Sequence, residues 1–282
     1  MSSPGEYITH HLTDWCVGCG PHNQPQGLFD LGAFTIDLLL VAFACAIVIA
    51  LVVRYLNSRL SMENPGRLQL AFETAIEYTS EQISEVFPRF NHYVGAMALT
   101  IFVWALLMNL MDLVPIDLPP TIAEGIGHLL GFKQVFFRQV PTAALDTPFA
   151  MATVVFVMMV TYQVRANGIG GYLKHFMVHP YGKFALPFNV ITVLIEDVSK
   201  PVSLALRLFG NMFAGELIFA LLALLSYASL QPVSPDAAIW MPLHLIGGMV
   251  WSLFDLLIAV LQAFIFAVLT VVYLGMAQQP NH

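Results

Sequence analysis

Five stretches of this chain are apolar enough, and long enough, to cross a lipid bilayer. They run over about 35–53, 94–114, 149–164, 187–230 and 239–277. A membrane leaves a backbone only two ways to satisfy its polar groups, the helix and the closed barrel. A barrel needs short strands of alternating polarity, and none is visible. With 58% hydrophobic and 10% charged residues, far below the roughly 25% charged of soluble domains, the chain reads as an all-α polytopic membrane protein. It divides into an extracytoplasmic tail, 1–34, and a single membrane domain, 35–282. The tail has no basic segment followed by an apolar one, so it does not read as a cleaved signal peptide.

The first three stretches suit one crossing each. The last two do not. A helix of ~40 residues is ~60 Å long, about twice the hydrocarbon thickness. Neither carries a turn signal strong enough to split it. The expectation is two long, strongly tilted helices forming a hairpin around Gln231–Pro235, wrapped against a curved partner. Between the first two spans, Leu68, Phe72, Ile76, Ile83 and Phe87 recur at helical spacing, and Glu73, Glu77, Glu81 and Glu85 repeat every four residues as one acidic stripe. That pattern predicts an interfacial amphipathic helix whose acidic stripe is either a solvated face or a docking face for a basic partner.

Loop charges give the orientation. Arg54, Arg59, Arg67, Arg89, Arg165, Lys174 and Lys183 fall on one side, and Lys133 and Arg138 on the other. The basic side is cytoplasmic. The N-terminus is then outside and the C-terminus inside. No basic cluster suggests nucleic acid, and no GxxxxGK[ST] loop suggests nucleotide chemistry.

Within the fourth stretch sits Arg207, the last Lys or Arg of the chain. A guanidinium at membrane depth costs several kcal/mol or more, so it needs a partner or a wet cavity. Glu216 and Asp255 read as the only acids set as deeply in apolar sequence. Lys200, Ser203, Arg207 and Asn211 share one helical face. Glu216 is nine positions beyond Arg207, on the opposite face and ~13 Å along the axis. Glu196 and Asp197 lie on the cytoplasmic side. On the last stretch Asp255, Ala259, Gln262 and Phe266 share a face. One permanent cation among titratable carboxylates suggests ion translocation. The structural alternatives are a static Arg207–Glu216 pair, neutral core acids at Glu216 and Asp255, and interhelical hydrogen bonding by Asn211 and Gln262.

The segment SKPVSLALRLFGNMFAGELI, Ser199 to Ile218, resembles the signature of subunit a of the F-type ATP synthase. LQAFIFAVLTVVYL (Leu261 to Leu274), TIFVWALLMNLMDLVPIDLPP (Thr100 to Pro120) and YITHHL near the N-terminus are similar to the same family. The resemblance implies a proton-translocating stator in a bacterial inner membrane, with a periplasmic N-terminus and a cytoplasmic C-terminus. It implies as partners a ring of c subunits, the b subunits of the peripheral stalk, and the F1 sector through the stalks. Arg207 would face the rotor carboxylates. Glu216 would be the conduit acid, with Asp255 beside it on the outer path, Asn211 and Gln262 as polar neighbours, Glu196 and Asp197 on the inner path, and Ser203 on the proton pathway. Many bacterial relatives carry His seven residues before the glutamine of the last motif; here that position is Asp255. No metal or cofactor is expected. The runner-up is an independent ion-coupled transporter or proton channel, which would have its own partner for Arg207 and repeated halves; neither is visible. A structural anchor would leave Arg207 unexplained. Cys16 and Cys19 form a CxxC near His10, His11 and His22, open to a metal or redox role or to a plain disulfide. Cys45 is apolar packing.

Overall fold

The computed structural model describes residues 13–20, 34–61, 65–86, 92–115, 118–129, 131, 137–178, 181–182, 186–229 and 237–278. Among them are two short strands, β1 (Cys16–Val17) and β2 (Phe34–Thr35), and seven α-helices. These are α1 (Ile36–Ser58), α2 (Arg67–Val86), α3 (His92–Leu110), α4 (Leu118–Leu129), α5 (Asp146–Val178), α6 (Leu186–Ser229) and α7 (Ala237–Gln278). Five spans, Ile36–Ser58, Tyr93–Leu113, Asp146–Lys174, Leu186–Ala223 and Leu245–Ala277, are long and apolar enough to cross a membrane. The chain is an all-α polytopic membrane protein.

The two long helices form as single elements of 44 and 42 residues. Pro201 and Pro242 sit inside them; each removes one backbone donor without ending the helix. The turn expected around Gln231–Pro235 lies outside the described residues, as do His10, His11 and His22. The third span is longer than its apolar core suggested. Its helix continues past Val164 to Val178 through a break at Gly168, where φ is 71° and ψ is 164°. A residue with a Cβ rarely adopts that backbone. Helix α4 was not legible in the sequence as a separate element. It opens with Leu118-Pro119-Pro120, and proline is well tolerated in a first turn, where the N–H would have no partner. Helix α2 forms where the amphipathic pattern lies, with Glu73, Glu77 and Glu81 exposed.

The chain forms two compact units. The first draws on Met1–Ala50, Trp104–Ala144 and Gly210–Leu261. In it β1 pairs antiparallel with β2, Cys16 opposite Thr35 and Val17 opposite Phe34. The Ile36 N–H donates to the Trp15 carbonyl at 3.0 Å, so this pairing runs straight into α1. Leu38, Val41 and Cys45, at helical spacing, are buried, whereas Leu39, Leu40, Phe43 and Ile47 are exposed. An apolar helix exposed on its remaining faces is suited to lipid. Cys16 and Cys19 are disulfide-bonded.

The second unit draws on Leu51–Val103, Leu145–Phe209 and Gln262–His282. Its core is Val94 and Ala98 of α3, Met159 of α5, and Val271, Leu274 and Ala277 of α7, flanked by Phe156, Tyr162 and Tyr273. Alanines at such positions let helices approach closely, which is how helices gain contact when lipid offers no hydrophobic drive. The start of α6 is fixed by Asn189, which is fully buried. Its side-chain oxygen accepts the Tyr181 N–H at 3.0 Å. Its amide donates to the carbonyls of Met177 at 3.0 Å and Gly182 at 2.8 Å. One side chain thus satisfies three backbone groups between α5 and α6, groups that would be costly to bury unpaired.

Candidate functional site

In the first unit, acids from four segments converge on one arginine. Arg138 lies in the loop before a 3-10 turn, Pro141–Ala143, whose residues are all buried. Its Nη2 bonds Glu216 Oε2 at 2.7 Å. Its Nε donates to Oε2 at 3.1 Å and Oε1 at 3.3 Å. Nη2 also donates to the Ala143 carbonyl at 2.8 Å, and Nη1 reaches Asp14 Oδ1 at 3.3 Å. This forked pairing needs a planar guanidinium. Burial acts to lower the pKa of Arg138, but the Glu216 and Asp14 carboxylates outweigh it and hold the value above the ordinary one. Arg138 stays charged.

Asp37, in the first turn of α1, accepts the backbone N–H of Arg138 at 3.1 Å and that of Trp15 at 3.0 Å on the same oxygen. An acid in a first helical turn also meets the positive end of the helix dipole. Asp37 is 0% exposed.

Asp112 and Asp255 meet over Gly215. A Cβ on that glycine would lie 2.7 Å from Asp112 Oδ2 and 3.0 Å from Asp255 Oδ1. Both acids are buried, at 3% and 0% exposure. Asp112 Oδ2 and both oxygens of Asp255 have no hydrogen-bond partner among the described residues. Asp112 is also within electrostatic reach of Glu216 and Arg138. Nearby, Asn109 donates to the Ala259 carbonyl at 3.4 Å, and Gln139 donates to the Val114 carbonyl at 3.1 Å. The arrangement can take up and pass protons. Asp112 Oδ2 and Asp255 have no donor to displace on taking a proton, whereas a proton reaching Glu216 competes with three hydrogen bonds from Arg138.

Contrary to the sequence reading, Glu216 and Asp255 are not the only deeply set acids: Asp37 and Asp112 are as buried. And Arg138, counted there as a loop charge, is a buried partner of Glu216. Asp112 stands at the end of the apolar run MNLMD, a signal that could have marked it; nothing local marks Arg138.

Arg207 is exposed on α6 and makes no ion pair among the described residues. Ser203, one turn earlier, is exposed, and Asn211 is half-buried. Gln262 is buried on α7. Glu196 and Asp197 are joined through Lys200, whose Nζ lies 2.9 Å from Glu196 and 3.7 Å from Asp197. The i,i+4 and i,i+3 spacing makes that contact legible from sequence.

The chain thus combines a buried network of acids, an exposed arginine in an apolar helix and five membrane spans. The family model for the ATP synthase A chain matches residues 38–275. This chain belongs to that family. It is 40% identical to ATP synthase subunit a of Chromobacterium violaceum, over 99% of both chains. It is 37% identical to ATP synthase subunit a 1 of Photobacterium profundum over the whole of both. It is 36% identical to ATP synthase subunit a of Ruthia magnifica, over 99% of this chain and 96% of the relative. The family match spans Asp112, Arg138, Arg207, Glu216 and Asp255 alike; Asp14 lies outside it.

Proposed function

We propose that this chain is the proton-translocating stator subunit of a rotary F-type ATP synthase. Arg207 carries the reading. It is a permanent cation, exposed on an apolar helix, with no intrachain ion pair among the described residues. A charge so placed calls for a partner outside the chain. In a member of the ATP synthase A chain family, that partner is the carboxylate of a rotating ring of c subunits.

A proton enters from outside near Asp255 and Glu216, past Asn211 and Gln262. It neutralises a ring carboxylate, which can then turn into lipid. After most of a revolution the carboxylate reaches the inner path near Ser203, Glu196 and Asp197 and releases its proton. Arg207 favours the ionised carboxylate and repels a proton that would pass directly between the two paths. Each charge moved through 100 mV yields ~2.3 kcal/mol, so several protons are needed per ATP. Nucleotide chemistry takes place on other subunits.

The same reading makes α6 and α7 a steeply tilted hairpin around the ring and α2 an interfacial helix. It makes residues 35–282 a single membrane domain behind a periplasmic tail, 1–34. The C-terminus is cytoplasmic, the membrane is the bacterial inner membrane, and the b subunits and F1 complete the assembly.

The test is proton-driven ATP synthesis by the intact complex in proteoliposomes. Arg207→Ala abolishes it while the complex still assembles. Arg207→Lys fails too, because an ammonium can deprotonate when buried and cannot fork. Near-normal synthesis by Arg207→Lys would remove the assigned role. Proton transport by the purified chain alone would favour an independent transporter.

A further inference from the structure

Arg138 is tied to more of its surroundings than a simple ion pair with Glu216 requires. Its guanidinium reaches Glu216, the Ala143 carbonyl and Asp14 together. Asp14 belongs to the N-terminal segment, and that segment is itself held in place. The next residue, Trp15, donates to the same Asp37 oxygen that receives the Arg138 backbone N–H. Cys16 then pairs with Thr35 and is bonded to Cys19. The Arg138 side chain is 7% exposed and that of Asp14 is 25% exposed. One anion is therefore buried with the cation, and a second stands at its wetter edge.

A lone Arg138–Glu216 pair would obstruct a proton relay. Protonating Glu216 would leave a buried guanidinium without its counter-charge, a costly state. The second anion removes that obstacle. We propose that Arg138 is a positioning residue for proton uptake and that Asp14 is its reserve counter-ion. Arg138 holds Glu216 oriented as a carboxylate. When a proton binds a Glu216 oxygen, the guanidinium keeps its charge and its bonds to Asp14 and Ala143. The glutamic acid is then free to turn and pass the same proton onward. No other covalent bond changes. Among the described residues, the charged and titratable groups around this exchange are Asp14, Asp37, Asp112, Asp255 and Arg138 itself. The inference rests on the function proposed above and makes the N-terminal segment part of the outer path.

The test uses the intact complex in proteoliposomes, with ATP synthesis driven by an imposed proton gradient over a range of pH. Arg138→Gln, Arg138→Lys, Asp14→Asn and Arg207→Ala are compared. Arg138→Gln is expected to lower the rate about tenfold or more, within the usual reach of a proton-transfer contribution. Arg138→Lys is expected to recover much of that loss, since it restores the charge. Asp14→Asn, at a partly exposed position, is expected to assemble normally and to displace the pH profile. If Arg138→Gln does not assemble, Asp14→Asn decides: a displaced profile supports the proposal and an unchanged one overturns it. Equal losses in Arg138→Lys and Arg138→Gln, with the parent pH profile in Asp14→Asn, also overturn it. Synthesis surviving in Arg207→Ala would instead overturn the stator reading itself, so the two failures are distinct.

Discussion

Arg138 and Glu216, separated by 78 positions in the chain, meet at 2.7 Å with both side chains almost fully buried. A pair this dry is worth little against an apolar replacement of both partners, but breaking it by removing one is expensive. That asymmetry separates structural from proton-carrying roles.

Glu216→Leu leaves the Arg138 guanidinium with Asp14 as its counter-charge and the Ala143 carbonyl as an acceptor, so it should destabilise the subunit by less than the about 3–5 kcal/mol of a buried charge left uncompensated. Glu216→Gln, which keeps an acceptor, should cost less. The double change Arg138→Met with Glu216→Leu should regain part of the lost stability while proton-driven synthesis stays absent. Thermal release of the subunit from the detergent-extracted complex measures the first quantity and proteoliposome synthesis the second. Additive losses in the double variant would show that the two side chains are not coupled.

Gly215 is required because its Cβ position is occupied on two sides by carboxylate oxygens. Gly215→Ala should push Asp112 and Asp255 apart, at a cost of about 1–3 kcal/mol, and slow synthesis. Gly215→Val should prevent assembly. An alanine variant with parental rates would mean that the two acids need not meet.

The sequence resemblance to subunit a of the F-type ATP synthase implies that Asp255 takes the place of a histidine carried by many bacterial members. Asp255→His should therefore be tolerated and should displace the pH dependence of synthesis, since imidazole exchanges protons near neutrality. Asp255→Asn should cost far less activity than Glu216→Leu. The pH–rate profiles of the three variants decide.

Asn189 satisfies three backbone groups with one side chain. Asn189→Ala should cost about 1–3 kcal/mol for each group left buried and unpaired and should lower the melting temperature of the complex. Asn189→Asp keeps only the acceptor and should recover only part of the loss. If Asn189→Ala melts with the parent, the start of α6 is held by other contacts.

Cys16 and Cys19 are joined, and Cys45 is buried. An impermeant thiol reagent should thus leave intact cells unlabelled and should label Cys16 or Cys19 from the outer side after mild reduction. Labelling that occurs only from the cytoplasmic side would reverse the proposed orientation.

The sequence by itself determined the number of spans, the unbroken length of α6 and α7, and the presence of a cation, Arg207, within one of them. Each of these is local: an apolar run of a given length, or a cation within one, has the same meaning whatever surrounds it. The segment Ser199 to Ile218 was equally legible, because a motif is read along the chain. The pairing of Glu196 and Asp197 with Lys200 was not read from the sequence, although its i,i+4 and i,i+3 spacing lies within one helical turn. Only the tertiary structure decided that Glu216 meets Arg138, that Asp112 and Asp255 face each other across Gly215, and that Asp14 and Asp37 join the same site. Those contacts depend on which faces of distant segments come together. A loop arginine and a buried one look identical in sequence, because burial belongs to the neighbours a residue acquires on folding.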